Sequence, residues 1–366
     1  DNGAIITVPH MDEMPAIADR IAAEHLELAL DNAHEWAEKI THAGAIFLGR
    51  YTPEAIGDYV AGPNHVLPTA RTARFSSGLG VADFMKRTTM VSCDAGSFAQ
   101  IAPYGVALAQ AGLLHRLEGA GLLSICTSVA GIETAIAKGQ LAAIMHMEGA
   151  EAIDRDFINL DIFRRAGLRS LGPVWSRPNH FGYGVPFRFP SSGDIGPGLT
   201  EDGIRLVDYC DQHGLLIDLS HLNEAGFWDV AKHSQKPLVA THSNAYAISP
   251  HARNLTDRQL DAIAESDGMV GLNFAVAFLN EDGQMRADTS FDVMLRHLDH
   301  LITHLGEDRV GLGSDFDGTT VPDAIGSAAG LPALRAAMCD HGYDAALMEK
   351  LCYRNWLRVL GKIWID

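Results

Sequence analysis

Cysteine is scarce in this chain, and cationic residues are outnumbered. The five cysteines among 366 residues (Cys93, Cys126, Cys210, Cys339, Cys352) are odd in number, scattered and without a C-x-x-C pair. That pattern argues against a disulfide framework and fits a reducing compartment. Lysine and arginine total 28 against 46 acidic residues, a net charge of −18, so neither nucleic acid nor an anionic membrane is an expected partner. No apolar run approaches the roughly 20 residues of a membrane span, and no signal-peptide pattern opens the chain; the reading is a cytoplasmic protein. Internal repeats, low-complexity tracts and Pro/Gly/Ser-rich tethers are missing as well. The length suits one large α/β domain, or one domain plus an extra segment.

The most informative stretch is 215–254, LLIDLSHLNEAGFWDVAKHSQKPLVATHSNAYAISPHARN. It reads as strand, helix, strand, and each strand ends in a histidine, His221 and His242. Parallel strands joined by a helix put both C-terminal ends on one edge of the sheet. Two imidazoles there can face one small volume, and imidazole is the commonest protein ligand for zinc-like metals. Two polar loop residues that happen to follow strands are the plainer alternative.

Six apolar runs alternate with amphipathic segments from residue 120 onward: 141–147, 170–175, 215–220, 237–242, 268–274 and 309–314. Thr200 is a suitable N-cap for a helix over 200–212. Such alternation predicts a parallel sheet, and polar chemistry at several strand ends predicts a (β/α)8 barrel of the TIM type. A full barrel needs eight strands, and the candidates for the other two are 4–8 and 43–48. Read at the strand ends, the chain offers Glu148, Trp175, His221, His242, Asn273 and Asp315. One carboxylate and two imidazoles suit a divalent transition metal, and a carboxylate can bridge two ions. Such a site polarises a carbonyl and supplies hydroxide near neutral pH. Asp315 can move the proton, and Arg253 can hold a carboxylate through a bidentate pair. The residues alone reach metal-assisted hydrolysis of a small amide.

The strings HMEGAEAI (146–153), AGLRSLGPVWSRPN (166–179), LLIDLSHLN (215–223), VATHSNAYAISPHARNLTD (239–257), GMVGLNFAVAF (268–278), VGLGSDFDG (310–318) and NWLRVLG (355–361) resemble the membrane (renal) dipeptidase family. The resemblance runs over about 120–366. It implies a zinc-dependent dipeptidase in which Glu148 bridges two zinc ions, His221 and His242 complete one of them, Arg253 binds the substrate carboxylate and Asp315 assists proton transfer. Trp175 stands where some relatives have a substrate-binding histidine; it is either a substrate contact or plain packing, and Asn273 is taken with it as substrate-binding. Family members begin with a strand ending in His-x-Asp that completes the other zinc. Here AIITV-Pro9-His10-Met11-Asp12 has that form, which makes His10 and Asp12 the candidates for a second ion.

Residues from about 3 to about 110 carry a different resemblance. AAEHLEL (22–28), AGAIFLGRYTPEAIGDY (43–59), NHVLPT (64–69) and SSGLGVADFMKR (76–87) look like the C-terminal part of histidinol dehydrogenase. In that family the Glu-His pair, here Glu24 and His25, does acid/base work; Asp58 would ligate zinc, His65 would contact substrate, and His115 would match a further ligand. The family's upstream region, with other metal ligands and most of the nucleotide-binding architecture, has no counterpart here. A hydride donor cannot be positioned without it. The chain therefore reads as 1–112, supplying barrel strands 1 and 2 at most, followed by a metallohydrolase barrel over 113–366. A small dipeptide is the expected partner, and assembly as a homodimer is compatible with this reading. The alternatives are a non-catalytic or mono-metal dipeptidase remnant and a fragment of an NAD-dependent dehydrogenase.

Overall fold

Small apolar side chains build the N-terminal part of the fold. In a computed structural model the chain is described over residues 3–59, 68–75, 89–92 and 95–365, in two compact units, Asp1–Leu113 and Leu114–Asp366. The first contains helices α1 (Met14–Ile21), α2 (Ala33–Ala37) and α3 (Glu54–Tyr59) and strands β1 (His25–Leu28), β2 (Ala45–Leu48) and β3 (Thr89–Ser92). The strands form a parallel sheet in the order β1-β2-β3. Every residue of β2 is buried, as its unbroken apolar run requires of a central parallel strand. Ala18, Leu28, Ala33, Ala37, Ile40, Ala43, Ile46 and Leu48 form the local core.

Two expectations change here. Residues 4–8 form no strand: the segment pairs with no sheet and leaves Ile5 96% exposed. An apolar run becomes a strand only where a ladder accepts its N–H and C=O groups, and Pro9, just beyond it, donates none. The run at 43–48 does form a strand, but β2 pairs with β1 and β3 in the first unit's own sheet.

Helix α4 (Ala95–Gly119) carries the chain into the second unit. There strands β4 (Leu123–Ile125), β5 (Leu141–Ala143), β6 (Met145–Glu148), β7 (Leu168–Gly172), β8 (Leu216–Ile217), β9 (Val239–Ala240), β10 (Met269–Asn273) and β11 (Val310–Gly313) alternate with α5 (Val129–Ala137), α6 (Ile158–Arg165), α7 (Glu201–His213), α8 (Glu224–His233), α9 (Asp257–Glu265), α10 (Val276–Leu279) and α11 (Phe291–Leu305). Helices α12 (Leu331–Asp340), α13 (Ala345–Glu349) and α14 (Asn355–Ile363) follow. Strands β5 and β6 are separated only by Ile144, so one stretch pairs with β4 by its first half and with β7 by its second. A parallel bridge between Asp218 and Val239 joins β8 to β9. Every pairing is parallel, and the row runs from β4 to β11 in chain order. Thr200, Asn223 and Thr256 each accept an N–H of the first turn of α7, α8 and α9, which fixes where each crossover helix starts.

Both ends of this row are covered by side chains. On β4, Cys126 N–H bonds Ala143 of β5, so the alternate Ile125 N–H faces away; it donates to Glu118 Oε1 at 2.7 Å. On β11, Val310 O accepts from Asn355 Nδ2 at 2.8 Å, and Leu312 O from Trp356 Nε1 at 3.1 Å. Helix α14 is amphipathic, and its Val359, Leu360 and Ile363 share a buried cluster with Leu216, Val239 and Met269 from β8, β9 and β10.

Asn355 is buried and also donates to Glu307 O at 2.7 Å. Asn355→Ala strands two carbonyls and is expected to cost about 1–3 kcal/mol in urea unfolding; an unchanged midpoint would refute the edge-covering role. A second prediction concerns acid. His297, fully buried, accepts from Ala245 N–H at Nδ1 (3.1 Å) and bonds Leu279 O through Nε2 (3.0 Å). Burial pushes its pKa down to about 4 from an ordinary 6.5. The unfolded chain then binds more protons than the native one between those values, so stability is level above 6.5 and falls as pH drops towards 4. His297→Gln should lose less stability between pH 7 and pH 5 than the parent does; equal losses would remove His297 from the account.

Candidate metal centre

Glu148 is the last residue of β6, and Gly149 behind it has φ +90, a left-handed conformation that favours glycine. A Cβ at Gly149 would lie 3.2 Å from Trp175 Cβ, so the turn needs glycine for space as well as for conformation. His221 and His242 follow β8 and β9. The three side chains meet: His221 Nε2 lies 2.8 Å from Glu148 Oε1 and 3.1 Å from His242 Nε2, and His242 Nε2 lies 3.2 Å from Glu148 Oε1. Both histidines are buried, whereas the Glu148 side chain is 42% exposed, which leaves the cluster open on the carboxylate side. Burial, with Arg253 adding to it, pushes the His221 pKa down to about 3. Neutral imidazole carries the lone pair that binds metal. Hydrogen bonds from His221 and His242 hold the Glu148 carboxyl well below the usual carboxylate range. A neutral imidazole at His221 and the His242 Nε2 facing it, beside an ionised carboxylate, fit a divalent ion with three protein ligands.

The other ring nitrogens are held from behind. Ser176 Oγ sits 2.9 Å from His221 Nδ1, and Thr241 Oγ1 2.7 Å from His242 Nδ1. Behind these lies Asp218, which the sequence reading passed over. Its Oδ1 accepts from Ser220 N, Ser220 Oγ and Thr241 N, its Oδ2 from Thr241 Oγ1 at 2.5 Å, and His242 Nδ1 is 3.5 Å away. Burial acts to raise its pKa, but His242, His146 and these hydrogen bonds outweigh it and hold the value near 2. The available signal was a lone carboxylate inside the apolar run LLIDLS.

Arg253 is 2% exposed. One terminal nitrogen donates to Ser220 O, the other to His242 O at 3.3 Å, and Nε has no partner. Burial lowers its pKa to about 10 against the pull of Asp315, Asp218 and Glu148, so it stays cationic near neutrality. Asn273, the last residue of β10, donates through Nδ2 to Asp315 Oδ2 at 3.0 Å and to His242 O at 3.3 Å. It thereby ties Asp315 to the histidine end of the row. Asp315 sits at φ +55, and a Cβ on Gly318 would come within 2.4 Å of its Oδ1; the glycine makes room for the carboxylate. Trp175 is half-buried, its ring 6.1 Å from that of His221 and 5.3 Å from that of Phe187. Phe187 also stacks on Phe278 at 6.1 Å. It comes from the 184–200 loop, where the sequence showed no site residue.

The other candidates belong to no group of potential metal ligands among the described residues. His10 and Asp12 are solvent-exposed at the start of the first unit. Without a strand at 4–8, no sheet edge presents them. Glu24 precedes β1, and His25 Nδ1 lies 3.3 Å from Glu54 Oε1. His65 and the side chain of Asp58 lie outside the described residues. His115, on α4, bonds Ala166 O at 2.7 Å.

Comparison with known proteins accounts for both halves of the chain. The family model for membrane dipeptidase, peptidase family M19, matches residues 80–364, and that for histidinol dehydrogenase matches residues 1–120. An uncharacterized protein of the pqqA 5′ region of Klebsiella pneumoniae is 48% identical over 72% of this chain and 97% of its own length. The histidinol dehydrogenase of Rhodospirillum rubrum is 62% identical, but over 33% of this chain and only 28% of that enzyme. Among solved structures, a metallopeptidase of Rhodobacter sphaeroides, liganded with a phosphinate mimic of L-Ala-D-Ala, is 58% identical with a TM-score of 0.71, over 72% of this chain and 76% of that one. With its barrel, its ligand cluster and a match over most of its length, the chain belongs to the membrane dipeptidase family, peptidase family M19, the TIM-barrel metallodipeptidases.

Proposed function

We propose that this metallodipeptidase hydrolyses small dipeptides with a free C-terminal carboxylate, using one zinc ion held by Glu148, His221 and His242. The observation that carries this reading is the meeting of two Nε2 atoms and a carboxylate oxygen within 2.8–3.2 Å of one another. Two nitrogens and one oxygen, with no thiolate, are a donor set of the catalytic zinc kind. A bound ion would supply Lewis-acid polarisation of the scissile carbonyl and lower the pKa of water.

The chain's own residues do the rest. Asp315 Oδ2 is engaged by Asn273, which leaves Oδ1 to receive the proton of the attacking water and return it to the leaving amine. Arg253, through the N–H that has no partner, attracts the substrate carboxylate; its charge can be spent there because it makes no ion pair with the neighbouring acids. Trp175, Phe187 and Phe278 form an aromatic wall beside His221, suited to short apolar side chains. The phosphinate mimic of L-Ala-D-Ala bound by the Rhodobacter relative supports the same size class and a D-configured C-terminal residue. A second reading, a barrel that binds one ion without turnover, draws on the exposure of His10 and Asp12. L-Ala-D-Ala hydrolysis by the zinc-loaded chain decides between them, and absence of turnover would favour the second.

Glu148→Gln is expected to lose about one equivalent of zinc together with hydrolysis, since an amide oxygen lacks the charge that balances the ion. Elemental analysis showing full zinc content in this variant would move Glu148 out of the coordination sphere. For Arg253→Ala, loss of a charge-assisted bond of about 1.5–3 kcal/mol predicts a KM raised roughly 10- to 150-fold for a dipeptide. A dipeptide amide should be spared. Equal losses on both would make Arg253 purely a brace for the strand-end carbonyls it already binds.

A further inference from the structure

We infer that α9 and α11 carry a second divalent-cation site, built from Asp257, His300 and His304 and backed by Asp261. It goes beyond the proposed function and shares no residue with the catalytic cluster. Asp257 and Asp261 are spaced i, i+4 on α9, and His300 and His304 are spaced i, i+4 on α11, so each pair lies on one helix face. The two cross-helix contacts have the same sequence separation, 43 residues in both cases, which means that the helices run parallel and in register where they meet. Four potential donors therefore line one seam.

The distances suit coordination. His300 Nε2 lies 2.7 Å and His304 Nε2 3.6 Å from Asp257 Oδ1, and one donor atom from each residue falls within 4.8 Å of the others. Tetrahedral bonds of about 2.0–2.1 Å put ligand atoms about 3.3 Å apart, between the two values seen. On the far side of its ring, His304 Nδ1 is 3.0 Å from Asp261 Oδ1. A carboxylate there fixes the tautomer that leaves Nε2 free, the arrangement that backs metal-binding histidines generally. The imidazole rings are 4.7 Å apart and inclined by 35°. Side-chain exposure of 23% for His300, 24% for His304 and 46% for Asp257 gives an ion a way in and leaves room for water at the remaining position. Two imidazoles and a carboxylate select zinc, cobalt(II), nickel(II) or copper(II) over calcium and magnesium. The plainer alternative is a pair of hydrogen bonds, His300 to Asp257 and His304 to Asp261; it gives no role to His304 Nε2, which faces Asp257 Oδ1 from 3.6 Å. Bound there, an ion would staple the helices that follow β9 and β10, the strands that end in His242 and Asn273.

The test uses the full chain, stripped with chelator and re-equilibrated with zinc, and then with cobalt(II) for its absorption spectrum. Glu148→Gln should keep an ion that is lost when His300→Gln and His304→Gln are added. Those two substitutions in an otherwise unchanged chain should remove about one equivalent of metal and lower the melting temperature of the zinc-loaded protein while leaving dipeptide hydrolysis intact. Asp261→Asn, which removes no ligand of the ion and keeps an oxygen that can face His304 Nδ1 across the helices, should weaken zinc binding at this site about 10- to 100-fold. Metal content that is unchanged in the double-histidine variant, or affinity that is unchanged in Asp261→Asn, overturns the proposal; the second measurement decides if the first variant does not fold. Loss of metal on the histidine substitutions with none on Glu148→Gln would refute the catalytic centre instead and leave this site standing.

Discussion

The candidate metal centre depends on a buried charge that stands behind its histidines. Asp218 is 3% exposed, and an ionised carboxylate in such a place is costly unless its lone pairs are filled. Ser220 and Thr241 fill them, from two segments that are neighbours only because β8 and β9 pair. The carboxylate thus locks the ends of two strands together, one residue before each histidine in the case of Ser220 and Thr241. On the other side of the same segments, Arg253 donates to Ser220 O and His242 O. An anion and a cation, both buried, clamp the strand ends between them. The segments that carry the histidines are thus held by the hydrogen bonds of two buried charged groups as well as by packing.

Glu148 arrives from a different part of the row. The row places β6, β7, β8 and β9 side by side, and in a parallel barrel the C-terminal ends of all the strands open on one face. That shared face is what lets Glu148 meet His221 and His242. The row's own ends are met by Glu118 on one side and by Asn355 and Trp356 on the other. Side-chain donors reach strand carbonyls as well as a neighbouring strand would, though singly and without a strand's own side chains.

The sequence made the strand ends legible because strand and chemistry coincide there: an apolar run stops, and a histidine or carboxylate follows. The six runs correspond to strands β6 to β11, and Glu148, His221 and His242 meet. Three things were not legible. LAAIMHM reads as one run, but at Ile144 it divides into β5 and β6 with different partners, a matter of pairing rather than of pattern. Asp218 looked like a tolerated polar residue, because only the fold shows that its neighbours in space are Thr241 and His242. The run at 4–8 has strand composition, yet composition cannot provide the partner ladder. The polar faces of α9 and α11 were passed over for a similar reason. Two i, i+4 pairs on helices separated by a strand carry no signal until the helices are seen to lie in register.

The N-terminal unit shows the same limit from the other direction. Its resemblance to histidinol dehydrogenases is high, 62% identity to the Rhodospirillum enzyme, but extends over only 28% of that protein. Its core of small residues from α1, α2, β1 and β2 is local in sequence, so these elements can pack correctly without the remainder of the enzyme they resemble. Chemistry is more demanding than packing, since it needs donors from distant segments to converge. Here His25 faces Glu54, a neighbour from the same unit, and no metal-ligand group among the described residues includes either Glu24 or His25. High identity over a short span therefore preserves the local fold of this segment, while the convergence that makes a centre is found where β6, β8 and β9 end.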